Sequence, residues 1–152
     1  MEMWNAAEAV ELIDRFGVTS TVAATPFLHE LCDAAAAKGS ALSSFRRFAC
    51  GGAAVPADLV HSANGRLANP CAYRVFGSSE VPMATQGILP ETSLHKAAET
   101  DGKAIDYELR IVDDEGRDVT TGVDGEVLAR GPAMFLGYAD AAQTAESITE
   151  DG

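Results

Sequence analysis

The sequence predicts an α/β fold in which a parallel-sheet βαβαβ segment is followed by an antiparallel β-rich segment, and three observations carry that prediction. Helix-period and strand-period runs alternate through the first half at the spacing of crossover units. Two strand-like runs in that half end on glycine-bearing loops, Gly51-Gly52-Ala53-Ala54 and Gly77-Ser78-Ser79-Glu80. After about residue 84 the pattern changes to short alternating runs separated by tight-turn residues, the habit of hairpins. Residues 1–84 and 85–152 are accordingly read as an α/β portion and a β-rich portion of the same domain.

Each element has a local reason. Ala9, Val10, Ile13 and Phe16 fall at helical spacing between Ala6 and Phe16, and Gly17 suits the helix end. Val18 to Ala24 is apolar and β-branched, a strand pattern. Pro26 opens a second helix that runs to Lys38 and stops at Gly39. Phe45 to Cys50 reads as the next strand, Pro56 to Leu67 as a third helix and Ala72 to Phe76 as the third strand. Right-handed crossovers between them imply a parallel sheet with both glycine loops at one edge. In the second half, Ile105 to Val112 and Glu126 to Ala129 are strands of a small barrel or distorted sheet. Their turns fall at Asp113-Asp114-Glu115-Gly116 and Gly122 to Gly125, and Ala139 to Ile148 is a closing helix.

Composition excludes several classes. With 47% hydrophobic and 22% charged residues the chain is of globular type. It contains no apolar run long enough to span a membrane and no signal-peptide pattern, which makes the cytoplasm the expected location. Cys32, Cys50 and Cys71 are odd in number and lie in apolar contexts, so they read as reduced core thiols. His29 and Cys32 share a helical face, but no second pair completes a zinc set. The net charge of −12 is concentrated in residues 85–152, which hold 15 acidic and 5 basic side chains. Such a surface repels phosphate backbones and disfavours nucleic acid as a partner. A solvated acidic face that aids solubility accounts for it without a ligand.

The richest chemistry lies in Tyr73-Arg74-Val75-Phe76-Gly77-Ser78-Ser79-Glu80. A strand ending at Phe76 places two hydroxyls and a carboxylate at the carboxyl edge of the sheet, where open α/β sheets bind ligands. Gly77 there leaves room for a ligand near the backbone. Hydroxyls can donate to phosphate oxygens, and a carboxylate suits a hard cation such as Mg²⁺. Read by itself, such a Gly-Ser-Ser turn followed by Glu is more often just a loop.

Three segments taken together are more specific: Phe45 to Pro56 with Gly51-Gly52-Ala53-Ala54, the Phe76 to Glu80 stretch, and Gly125-Glu126 to Gly137-Tyr138. In this order and spacing they resemble the adenylate-forming superfamily of acyl-CoA synthetases, coumarate-CoA ligases, luciferases and nonribosomal-peptide adenylation domains. The resemblance covers nearly the whole chain. It implies a partial N-terminal domain of such an enzyme. It also implies that Phe76 lies against the adenine of ATP, that Ser79 touches a phosphate and that Glu80 helps to hold Mg²⁺. Gly77 and Ser78 complete that motif, and Gly51, Gly52, Ala53 and Ala54 line the adenine and acyl pockets. Phe76 stands where tyrosine is usual and Ser79 where threonine is usual; both keep the aromatic face and the hydroxyl. The third segment has a mainly structural role, with Glu126 and Arg130 available for pairing across neighbouring elements.

The family's Ser/Thr/Gly-rich phosphate loop, its Thr-Gly-Asp motif and its C-terminal catalytic lysine are not in these 152 residues. The resemblance therefore implies an internal piece of a synthetase of several hundred residues, which by itself lacks full catalysis and whose further partner is the remainder of that synthetase. The implied reaction joins a small carboxylic acid to the α-phosphate of ATP and then to CoA. The apolar Val81-Pro82-Met83-Ala84 carries no basic group, so an aliphatic, alicyclic or aromatic acid is favoured, and the Gly-Ser-Ser-Glu variant is similar to cyclohexanecarboxylate-type or medium-chain acyl-CoA ligases. Two alternatives stay open: a non-enzymatic or degenerate nucleotide-binding fragment, and an adenylation domain for an amino or aryl acid. A hydrolase using Ser78 or Ser79 lacks the Gly-x-Ser-x-Gly elbow.

Overall fold

The computed structural model describes residues 3–149, which fall into two compact units, residues 3–76 with 85–103 and residues 77–84 with 104–149. The first unit begins with α1 (Ala6–Phe16), β1 (Ser20–Ala23), α2 (Thr25–Lys38), β2 (Arg47–Cys50), α3 (Ala57–Arg66) and β3 (Ala72–Arg74). Asn5 caps α1 by accepting from the Glu8 N–H at 3.0 Å, and Gly17 closes it at φ 63°, a conformation that glycine adopts without a Cβ penalty. Helices α2 and α3 are the two crossovers between parallel strands in the order β1-β2-β3. The expected βαβαβ segment is therefore present.

The core lies between these helices and the sheet. Phe45, Phe48, Leu28, Leu31, Val10 and Val60 are almost wholly buried, with Cys32, Cys50 and Cys71 among them. Each large apolar side chain removed from water in this way contributes on the order of 1.5–3 kcal/mol. All three cysteines are free and buried, as expected from their apolar contexts. Burial in this medium pushes the Cys71 thiol up to about 12.

The strands are shorter than their sequence patterns. The stretch from Phe45 joins the sheet only at Arg47, and β3 stops at Arg74 rather than Phe76. Val75 still donates to the Cys50 carbonyl at 2.9 Å, but β2 has ended there, and Phe76 turns to another partner. Sequence patterning also passed over the remainder of this unit. Strand β4 (Thr85–Gln86) pairs with β5 (Lys103–Ala104), and α4 (Leu94–Glu99) is capped by Ser93. An asparagine not singled out in the sequence, Asn64, is buried and fastens α3 to the start of β3. Its amide donates to the Ala72 carbonyl at 2.9 Å and its oxygen accepts from the Cys71 and Ala72 N–H groups at 2.8 Å.

In the second unit, β6 (Glu108–Val112) and β7 (Glu126–Arg130) form an antiparallel pair, and α5 (Ala141–Ser147) is capped by Asp140. Among the described residues this hairpin material is a two-stranded ribbon. Asp113 organises its turn by accepting from the Glu115 and Arg117 N–H groups. Glu126 and Arg130 lie on one strand, and Arg130 reaches Glu108 opposite it at 2.6 Å.

Candidate functional site

Because β2 and β3 are parallel, the chain leaves both at the same edge of the sheet. After Cys50 comes Gly51, where an added Cβ would lie 2.6 Å from the Val75 carbonyl oxygen and 2.9 Å from its Cγ2. Only hydrogen fits there, so the loop packs flush against the chain emerging from β3. Gly52 turns at φ 78° into open space, and Ala53 and Ala54 are exposed. The loop is anchored by Thr25, whose hydroxyl donates to the Ala54 carbonyl at 2.9 Å. The predicted loop thus presents small side chains and main chain to solvent at the carboxyl edge.

Phe76 is held by Thr85, which the sequence reading did not single out. Its N–H donates to the Thr85 hydroxyl at 2.8 Å, and its carbonyl accepts from the Thr85 N–H at 3.0 Å. The hydroxyl in turn donates to the Asp101 carbonyl. Phe76 is left 39% exposed rather than buried in the core.

Gly77 to Ala84 belong to the second unit. A Cβ on Gly77 would meet the Met83 nitrogen at 2.6 Å, so here the missing side chain admits the chain's own backbone. Ser78 shapes the turn: its N–H donates to the Val81 carbonyl at 3.1 Å, and its hydroxyl oxygen accepts from the Glu80 and Val81 N–H groups at 3.2 Å. Met83 closes the turn at φ 55°, a left-handed conformation uncommon for a residue with a side chain. Ser79 is exposed, and its hydroxyl has no partner among the described residues.

Glu80 is fixed at two points. Its carbonyl accepts from the Phe135 N–H at 2.8 Å, and its Oε1 accepts from the Tyr138 hydroxyl at 2.7 Å. The Tyr138 hydroxyl, then Ser78, hold the Glu80 carboxyl below the ordinary glutamate value, and the same bond raises the Tyr138 phenol above its own. Glu80 is therefore a hydrogen-bonded carboxylate, held more acidic than an ordinary glutamate. The sequence drew attention to the segment containing Tyr138 but offered no signal that it would reach a residue 58 positions earlier.

Other features carry less chemistry. His29, His61 and His95 lie on α2, α3 and α4, the first two beside Asp33 and Glu99. Among the described residues no three His, Cys, Asp or Glu side chains gather as a metal cage. A cavity of about 450 Å³ in the first unit is lined by Trp4, Leu12, Val22, Phe27 and Phe48 among others, without one titratable group. No helix among the described residues is long and apolar enough to cross a membrane.

The family model described as AMP-binding enzyme matches residues 1–139. The chain is 29% identical to a medium-chain fatty-acid–CoA ligase of Escherichia coli (strain K12) over 161 residues, covering 100% of the chain and 27% of that protein. It is 34% identical to a 2,3-dihydroxybenzoate–AMP ligase of Bacillus subtilis (strain 168), covering 95% and 27% respectively. Among solved structures, the amide bond synthetase McbA from Marinactinospora thermotolerans superposes with a TM-score of 0.84 at 28% identity, over 99% of this chain and 31% of its own. The chain thus spans about a quarter of the length of the curated relatives it matches.

Proposed function

The chain belongs to the AMP-binding enzyme family, and from that membership we propose that the whole protein is an ATP-dependent acid–thiol ligase that activates a small carboxylic acid as its adenylate and passes the acyl group to CoA. The observation that carries the reading is the Ser79-Glu80 pair: a hydroxyl without an internal partner beside a carboxylate kept ionised. Ser79 can donate to a phosphate oxygen. Glu80 fits a Mg²⁺ ion that meets the protein through one carboxylate and keeps its remaining contacts with phosphate and water. When bound, that ion supplies neutralisation of phosphate charge. The chain's own groups contribute orientation: Phe76 offers its exposed ring to the adenine, and Gly51, Gly52, Ala53 and Ala54 allow close approach to the main chain. In this reading Gly77 and Ser78 build the turn that presents the pair.

Neither the loop at residues 51–54 nor Val81-Pro82-Met83-Ala84 bears a basic group, which supports an aliphatic, alicyclic or aromatic acid over one with a second charge. These 152 residues by themselves, without the phosphate loop, the ribose-binding aspartate and the catalytic lysine, do not complete the reaction in this reading. The 34% identity to an acid–AMP ligase favours one second reading, an aryl-acid adenylating enzyme without CoA transfer.

ATP–pyrophosphate exchange by the full-length protein over a panel of acids tests adenylation, and AMP release that depends on CoA separates the two readings. Glu80→Gln is expected to lower exchange by roughly 10²–10³, the usual loss of one preorganised electrostatic contact. Its folding stability is expected to stay close to that of the parent. Undiminished exchange in this variant would remove Glu80 from the site.

A further inference from the structure

The second unit devotes a whole segment to one carboxylate. The Phe135 main chain holds the Glu80 carbonyl, and the Tyr138 hydroxyl holds its Oε1. The Phe135 and Tyr138 rings pack edge to face, with centroids 4.8 Å apart at 66°. Tyr138 is itself anchored from α5, since its N–H donates to the Thr144 hydroxyl at 2.9 Å. Gly137, at φ 139°, lets the chain pass close to Thr144, where a Cβ would lie 2.9 Å from the threonine methyl. A tyrosine needed only for packing would leave its polar end in water. Here the ring and the backbone are both fixed, and the phenol ends on the carboxylate of Glu80.

We propose that Tyr138 is a positioning residue for the reaction: its phenol fixes the Glu80 carboxylate, and with it the anionic contact to the divalent cation that the nucleotide carries. The inference rests on the reading of Glu80 given above. An ionised carboxylate offers about four acceptor sites, so one phenolic donor can set its orientation and still leave capacity for a cation. Partners that orient a metal-binding group commonly govern affinity by 10–100-fold. Ordering this side chain before the nucleotide arrives also lowers the entropic cost of forming the cation contact.

The test uses the full-length protein and Tyr138→Phe, which keeps the ring and its packing on Phe135 and removes only the hydroxyl. Mn²⁺ binding in the presence of ATP, followed by the free Mn²⁺ spin-resonance signal, reads the cation contact without turnover. The Mg²⁺ concentration for half-maximal pyrophosphate exchange reads it in catalysis. The expected result is a loss of about tenfold in both, with the half-saturating concentration of the carboxylic acid and the thermal midpoint little changed. If Glu80→Gln weakens Mn²⁺ binding while Tyr138→Phe leaves it at the parental value, Tyr138 is a structural tie and the proposal falls. If Glu80→Gln itself leaves Mn²⁺ binding unchanged, the assignment of Glu80 to the cation fails first, and the proposal fails with it. A loss in Tyr138→Phe matched by an equal weakening for the acid, or by a collapsed midpoint, would equally overturn a positioning role.

Discussion

The Tyr138 hydroxyl and the Glu80 carboxylate meet at 2.7 Å, and this bond makes the stability of the second unit depend on acid. Glu80 titrates below the ordinary glutamate value of 4.5 in the folded chain, first because of Tyr138 and then because of Ser78. A carboxyl lowered by folding contributes stability above its unfolded value and loses it as the pH falls through the folded one. Tyr138→Phe is therefore expected to lower the thermal midpoint at neutral pH only slightly, by an amount that shrinks below pH 4.5 and vanishes once both forms carry a protonated Glu80. A difference constant between neutral and acidic pH would show that the phenol acts through packing alone.

Gly51 is expected to tolerate no side chain. In Gly51→Ala the new methyl would meet the Val75 carbonyl and Cγ2, both part of the chain leaving β3, so the backbone must give way. The cost is expected at about 1–3 kcal/mol, as for other overpacked sites, and is read from urea denaturation. Gly52→Ala, with open space but a φ of 78°, is expected to cost less, about 1 kcal/mol. Equal stability of the Gly51→Ala variant and the parent would mean that the loop is not packed on Val75.

Asn64→Leu keeps comparable volume but strands three backbone groups at the start of β3. Buried groups left unsatisfied cost about 1–3 kcal/mol each before relaxation, so a loss of at least about 2 kcal/mol is expected by chemical denaturation. Asn64→Asp can still accept from Cys71 and Ala72 but cannot donate to the Ala72 carbonyl, and is expected to fall between the two. A neutral leucine variant would contradict the pinning role.

The thiols supply an independent check on the core. Burial raises all three, Cys71 to about 12, so little thiolate exists at pH 8. A colorimetric thiol reagent is expected to leave the native chain almost unlabelled and to titrate Cys32, Cys50 and Cys71 once denaturant is added. Rapid labelling of one thiol in the native state would mark a local opening.

Much of the first unit was legible because its signals are local. Gly17, Pro26 and Gly39 delimit α1 and α2 with the residues themselves, and the buried Val10 and Ile13 supply the period of α1. Strand ends were less legible, since β3 stops where β2 stops pairing, which no property of Val75 or Phe76 announces. Helix α4 was missed because six residues show too little period to stand out, and the Ser93 cap is one serine among several. The motif residues could be picked out from the sequence. The groups that hold two of them, Thr85 for Phe76 and Tyr138 for Glu80, could not, because such contacts depend on tertiary folding rather than on spacing.

The turn from Gly77 to Met83 divides its positions by how freely they can drift. Gly77 is locked by the Met83 backbone, and Ser78 is committed to two N–H groups, so a change at either alters the turn itself. The Ser79 hydroxyl has no hydrogen-bond partner among the described residues. Threonine in its place would disturb no internal bond, which leaves the choice between the two hydroxyl residues to whatever binds there and not to the stability of the fold.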